Sequence, residues 1–218
     1  PGVYLLGSIR SEDRELIAAG PNHFEFTVAL DAQIAEHIWV RLFEQNKTEL
    51  THWLEAFEES EGLLLEYTHL LTRGSRLANI IGAQVSRRRQ EGRVTELGVL
   101  RLCSVAGKLG GAMIPAKLAS ILGISLDELS IATARLFDEH LAREFADGTI
   151  GGLHELRSAE LAKQCHDGVT FCESDSIEAA CSAVAPTSLA RFVLEAFRHS
   201  PDRVGKFVAT LAERAGQD

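Results

Sequence analysis

Residues 115–154 read PAKLASILGISLDELSIATARLFDEHLAREFADGTIGGLH, and the fold is decided there. Pro115 stands where a helix would start and Gly123 where it would stop. Ser125, Leu126, Asp127 and Glu128 make a capping box, in which Ser125 caps the next helix and Glu128 reaches back. Ile124 and Leu129 are spaced as the matching hydrophobic staple. The helix continues through Ala132, Leu136 and Phe137 on its apolar face. Asp147-Gly148 then lies between extended segments, a strong signal for a tight hairpin turn. Just upstream, residues 97–109 are apolar enough to form a buried helix. Helix, helix, capped helix and hairpin in that order is the winged-helix layout, assigned to residues 93–167.

Working outward, residues 31–92 show the helical period four times. Ile34, Ile38, Trp39, Leu42 and Phe43 fall on one face. Leu50, Trp53, Leu54 and Phe57 repeat it, and Leu63, Leu64, Tyr67, Leu70 and Leu71 make a third helix with Gly74 as its stop. Ser75 is placed to cap a fourth helix carrying Leu77, Ile80, Ile81 and Val85. That helix ends in Arg87-Arg88-Arg89, where cations suit the negative end of the dipole. Residues 3–9, VYLLGSI, form a short apolar run of the kind buried in a parallel sheet. Residues 23–30, HFEFTVAL, read as a short strand or linker. Because the chain opens at Pro1 with a strand under way, residues 1–30 are expected to be the tail of an α/β domain. Beyond the hairpin, residues 155–167 read as a helix, and 168–218 as the start of a helical sensor or arm, with helix starts at Thr187 and Ser200-Pro201. The fold class expected is mainly α.

The bulk properties bound the function. The chain has 218 residues and a formal net charge of −9, a field that repels phosphodiester backbones. The four cysteines, Cys103, Cys165, Cys172 and Cys181, show no CxxC pair and match no standard zinc spacing, so reduced thiols and a cytoplasmic setting are expected. No apolar run approaches the roughly 18 residues that argue for a membrane span. No GxSxG elbow marks a hydrolase nucleophile.

The order of pieces resembles the back half of STAND-class signalling ATPases, the group with NB-ARC and NACHT modules, over roughly residues 3–167. Three patterns carry the resemblance. In LLGSIR, residues 5–10, Arg10 matches the class's sensor of the γ-phosphate; a guanidinium at the end of a parallel strand faces the crevice where ligands bind and can hold a phosphate with two hydrogen bonds. The other reading is a surface arginine in a strand-to-helix loop. In EGLLLEYTHLLTRG, residues 61–74, Gly62, Leu63 and Leu64 align with the class's Gly-x-Pro pattern that packs on adenine, with Leu64 in place of the proline; an ordinary amphipathic helix explains the spacing equally. In GLHELRSAEL, residues 152–161, His154 matches the histidine that contacts the β-phosphate of ADP and locks the resting state. A helix N-terminus favours anions, although a histidine there can also cap its helix or fill a gap. Arg157, one turn on, reads as a solvated or salt-bridged residue.

The resemblance implies a four-helix lid at 31–92, a winged helix, ATP or ADP with Mg²⁺ held mainly by an upstream P-loop domain in cis, a C-terminal sensor with its own trigger, homo-oligomerisation on activation and, by analogy, bacterial antiviral defence. The chain carries no GxxxxGK[ST]; Gly107-Lys108-Leu109-Gly110 lacks the first glycine and the Ser/Thr. No acidic run precedes Arg10 to hold Mg²⁺. The chain is therefore not expected to hydrolyse ATP alone. Two other classes fit the same elements: a winged-helix DNA-binding regulator and a non-catalytic helical scaffold. The first is disfavoured by the acidic residues Asp127, Glu128, Asp138 and Glu139 on and beside the helix that would read bases, where Arg, Lys, Asn or Gln are usual.

Overall fold

The computed structural model describes residues 30–168, 172–201 and 204–215. The strand expected at 3–9, Arg10 and most of the linker at 23–30 lie outside them. The described chain is mainly helical, with one two-stranded sheet, and it divides into two compact units after Tyr67.

In the first unit, α1 (Ala32–Glu44) begins where Asp31 accepts a hydrogen bond from Ile34 N at 2.8 Å. A short α2 (Leu54–Glu59) follows, and α3 (Leu64–Arg73) starts before the division and ends after it. Tyr67 is fully buried and donates to the Ala35 carbonyl at 2.9 Å. Its ring meets Phe57 edge-on, with centroids 6.3 Å apart, and Trp39 Nε1 donates to Leu50 O at 2.8 Å. A buried aromatic with its polar tip satisfied both packs and orients. Here it joins the first helical segment to the third. The apolar face of α1 is only half covered: Ile34, Ile38 and Leu42 are partly exposed and Phe43 is exposed.

The second unit is built around α5 (Val94–Lys108), which is buried on most of its circumference, from Val99 and Leu100 to Val105 and Ala106. Against it pack α4 (Leu77–Gln90), α7 (Leu126–Asp138), α8 (Glu155–His166) and α9 (Glu173–Ala183). Between α5 and α7 runs α6 (Pro115–Leu122), with Pro115 in its first turn and Gly123 closing it in the left-handed region. The capping box of α7 forms as read: Glu128 N donates to Ser125 Oγ at 3.2 Å, and Ser125 N donates to Glu128 Oε2 at 2.8 Å. By contrast α4 begins without Ser75 as its cap; Arg76 holds that position and makes no side-chain cap.

The hairpin pairs β1 (Arg143–Glu144) with β2 (Ile150–Gly151) in antiparallel register. Its turn is wider than a two-residue Asp-Gly turn. Gly148 N donates to Phe145 O at 2.9 Å and Phe145 N to Thr149 O at 2.8 Å, with Gly148 at φ +76°. Asp147 braces it by accepting from Thr149 N and Thr149 Oγ1, which holds its carboxyl below the usual range. Two further extended pieces flank the hairpin. Met113 N donates to Ile150 O at 2.7 Å and Ile150 N returns a bond to Met113 O at 2.9 Å. On its other side, Ile114 N donates to Ala183 O and Ala185 N to Ala112 O. The link between α9 and α10 (Pro186–His199) is thereby stitched to the hairpin through Met113. The last helix, α11 (Val204–Ala215), packs on α9. Among the described residues no helix is long and apolar enough to cross a membrane.

Three consecutive arginines, expected only to suit a helix end, do three different jobs. Arg87 lies exposed beside Glu91, 3.2 Å away. Arg89 Nη2 donates to the carbonyls of Gln164 and Cys165, at 2.8 and 3.2 Å, closing the last turn of α8. Arg88 is buried, 1 % exposed, and its Nε donates to Glu96 Oε2 at 3.1 Å. Its Nη1 donates to Gln84 O, and its Nη2 forms an ion pair with Glu139 Oε2 at 2.9 Å without hydrogen-bond alignment. Glu96, itself buried, also receives Arg135 Nη1 at 2.9 Å and Arg93 Nη1 at 3.4 Å. Burial alone would raise its carboxyl, but Arg135, Arg93 and Arg88 outweigh that and hold it low.

Breaking a buried pair by removing one partner leaves a charge without compensation. Arg88→Ala is therefore expected to lower the unfolding free energy by about 3–5 kcal/mol, read by urea denaturation. Because the folded Glu96 value is depressed, its contribution is present above the unfolded value, about 4.3, and is lost as pH falls through the lower folded value. Glu96→Gln should accordingly be less stable than wild type near neutrality and lose less stability on acidification; parallel curves at pH 7 and pH 3 would refute this role for Glu96.

Candidate functional site

His154 is the N-cap residue of α8, in extended conformation directly after β2. Its Nδ1 accepts a hydrogen bond from Leu156 N at 3.2 Å, while its own carbonyl accepts from Ser158 N at 2.8 Å. A ring nitrogen that accepts carries no proton, so the proton sits on Nε2. The ring is exposed, and Nε2 has no partner among the described residues. The cap reading and the display of a donor at a helix N-terminus are thus compatible: one nitrogen holds the helix, and the other remains to donate outward.

The position of this imidazole is fixed from below by close packing. A methyl group on Gly107 would come within 2.6 Å of Ser158 Oγ and 2.9 Å of Gly152 Cα. A methyl on Gly152 would collide with the same hydroxyl. The end of α5, the exit of β2 and the first turns of α8 therefore meet backbone to backbone, where only glycine fits. Ser158 is fully buried there, its hydroxyl without a partner. On the outer side, Glu155 accepts from Arg191 Nη2 at 2.8 Å, tying α8 to α10.

Gly62, Leu63 and Leu64 are contiguous in the first unit, at the entry to α3. Gly62 takes φ +80°, and Leu63 N donates to Ser60 O at 3.0 Å. Leu63 and Leu64 are both about half exposed, at 54 % and 53 %. They form an apolar step at the start of the helix. His154 belongs to the second unit, and Arg10 lies outside the described residues.

Arg157, read from the sequence as a solvated or salt-bridged residue, is more enclosed than that reading allowed. It is half-buried in the first turn of α8, and its Nε is buried without a hydrogen-bond partner. Burial, then the neighbouring Arg73, depress its guanidinium. It is partly exposed and makes no ion pair among the described residues. The spacing of Arg157 from His154 was visible in the sequence, but the burial of its Nε was not.

The cysteines do not gather into one site. Cys103, Cys165 and Cys181 are buried and Cys172 is exposed. Burial pushes Cys103 and Cys165 up to about 12. Cys172 stands at the N-cap of α9, where the Ser174 backbone N–H and then its hydroxyl favour the thiolate and lower its value.

Compared with known proteins, the chain matches no family model, and neither a curated protein nor a solved structure is significantly similar to it.

Thiolate fraction and access govern thiol reactivity. Native protein should therefore release one rapid equivalent to a disulfide reagent, from Cys172, with the other thiols reacting only on unfolding. Persistence of the fast phase in Cys172→Ser would overturn the assignment.

Proposed function

We propose that this chain is the lid and winged-helix part of a nucleotide-dependent signalling switch, in which His154 reads the diphosphate of a bound nucleotide. The observation that carries the reading is the exposed His154 imidazole, anchored through Nδ1 at a helix N-terminus directly after a hairpin. The order α5, extended 112–114, α6, capped α7, β1–β2, α8 supports the winged-helix assignment. The exposed leucines at the entry to α3 offer a surface that could pack on a purine base. The P-loop, Mg²⁺ and the hydrolytic groups would come from a neighbouring nucleotide domain, and ATP in place of ADP would release the winged helix and permit oligomerisation. A charge-assisted hydrogen bond from the imidazole is worth about 1.5–3 kcal/mol, enough to bias a two-state equilibrium about tenfold or more.

The exposed side of α7 carries Leu126, Asp127, Glu128, Ile131 and Asp138. Its one arginine, Arg135, is committed to Glu96. This arrangement favours the switch over a DNA-reading role, since base recognition needs donors aimed at base edges. The C-terminal helices, stitched to the hairpin through Met113 and Val184, are suited to pass a trigger's binding on to the winged helix.

Two substitutions separate capping from nucleotide reading. Serine is a good N-cap and alanine a poor one. In the full-length protein, His154→Ser should keep α8 intact yet weaken ADP about tenfold and raise basal activity, and His154→Ala should do the same with a small further loss of stability. If His154→Ser binds ADP as wild type does, the histidine is a cap and nothing more.

A further inference from the structure

Along α1 two ridges of side chains run side by side, Gln33, His37 and Arg41 on one and Ile34, Ile38 and Leu42 on the other. Between them lies a shallow, open trough whose surface is almost wholly apolar and which is lined by α1 alone among the described residues. The three polar side chains are exposed and the three aliphatic ones half-buried. The trough lies beside the line of Ala35 and Trp39, which meet Tyr67 and Leu50 of the same unit. Single apolar side chains at a surface need no explanation, but a continuous aliphatic stripe does.

The stripe repeats every four residues of helix, about 6 Å at 1.5 Å per residue. A strand presents one face every two residues, about 6.6–6.8 Å. The two spacings therefore agree within about 1 Å per step. The sequence just ahead of α1 supplies such a face: in His23-Phe24-Glu25-Phe26-Thr27-Val28 the alternate residues Phe24, Phe26 and Val28 are apolar. Three apolar side chains stand against three, over about 13 Å of strand and about 12 Å of helix. This segment lies outside the described residues, which begin at Leu30, and only residues 29–31 separate Val28 from the start of α1 at Ala32. Connections of about two to six residues are usual between a strand and a helix that packs back on it. So short a tether also holds the segment at the trough at an effective concentration of about millimolar, which a separate molecule at micromolar concentration does not match.

We propose that residues 24–28 lie antiparallel along α1 as an extended strap, with Val28 against Ile34, Phe26 against Ile38 and Phe24 against Leu42. The trough is then the seat of this chain's own segment, and the assignment does not depend on the nucleotide-switch reading.

Nuclear magnetic resonance of the 218-residue chain reads the contact directly. Methyl groups of Ile34, Ile38 and Leu42 should cross-relax with the ring protons of Phe24 and Phe26, at intensities independent of protein concentration. Phe26→Asp should abolish the Ile38 contact and speed amide exchange in α1 about tenfold or more. Thr27→Asp, one residue on and on the opposite strand face, should leave both unchanged. Phe26→Leu keeps an apolar side chain and should retain the Phe24 contact and the slow exchange. Absence of any contact between these side chains in wild type overturns the proposal. So do equal effects of Phe26→Asp and Thr27→Asp. Contacts seen only between differently labelled copies in a mixed sample also overturn it, and would assign the trough to a second copy of the chain.

Discussion

The Glu96 carboxylate is the constraint on which the second unit depends. It is buried on α5, and it is reached from three elements: Arg88 from α4, Arg135 from α7, and Arg93 from the turn leading into α5 itself. An ionised carboxylate can stay buried only where its lone pairs are occupied and its charge is balanced. That requirement sets the relative placement of α4, α5 and α7 more narrowly than apolar packing could, because leucines tolerate sliding and charge-assisted hydrogen bonds do not. Glu139, just past the end of α7, adds a second carboxylate to Arg88. The network therefore fixes where α7 ends and the hairpin begins. Whether such a network adds net stability over an apolar substitute is a separate matter; its specific contribution here is register.

The treatment of Arg88 makes that of Arg157 informative. Both guanidiniums lie on helices of the same unit, and both have a buried nitrogen. Arg88 meets two carboxylates and a main-chain carbonyl, whereas the Arg157 Nε is buried without a hydrogen-bond partner.

What could be read from the sequence was local. Pro115, Gly123, the Ser125–Glu128 box and the Asp147-Gly148 turn each act within a few residues, and each falls where the spacing placed it. The mainly helical character followed from the same short-range periods. Three kinds of feature escaped. Arg88 was hidden because three adjacent arginines look alike until tertiary packing assigns each its face. The pairing of Met113 with both Ile150 and Val184 joins segments with no shared pattern, because a single extended bridge has no period to detect. The burial of the Arg157 Nε depends on how α8 packs in the folded chain, which no local spacing reveals. At the candidate site, then, the position of His154 was legible and its surroundings were not.

Those surroundings restrict how any switch through His154 can work. The imidazole is bonded to the backbone of its own helix through Nδ1, and that helix is pressed against α5 at Gly107, Gly152 and Ser158 without room for a methyl group. At its far end, α8 is held by Arg89 from α4. A side chain so placed cannot swing toward or away from a ligand without losing its cap, and the helix cannot shift along α5 without a backbone collision. Packed cores respond by rigid displacement rather than by local yielding. In the proposed switch, release from the nucleotide would therefore move α4, α5 and α8 together with the hairpin as one body, and the energy that holds the resting state would reside in the contacts that body makes with the diphosphate.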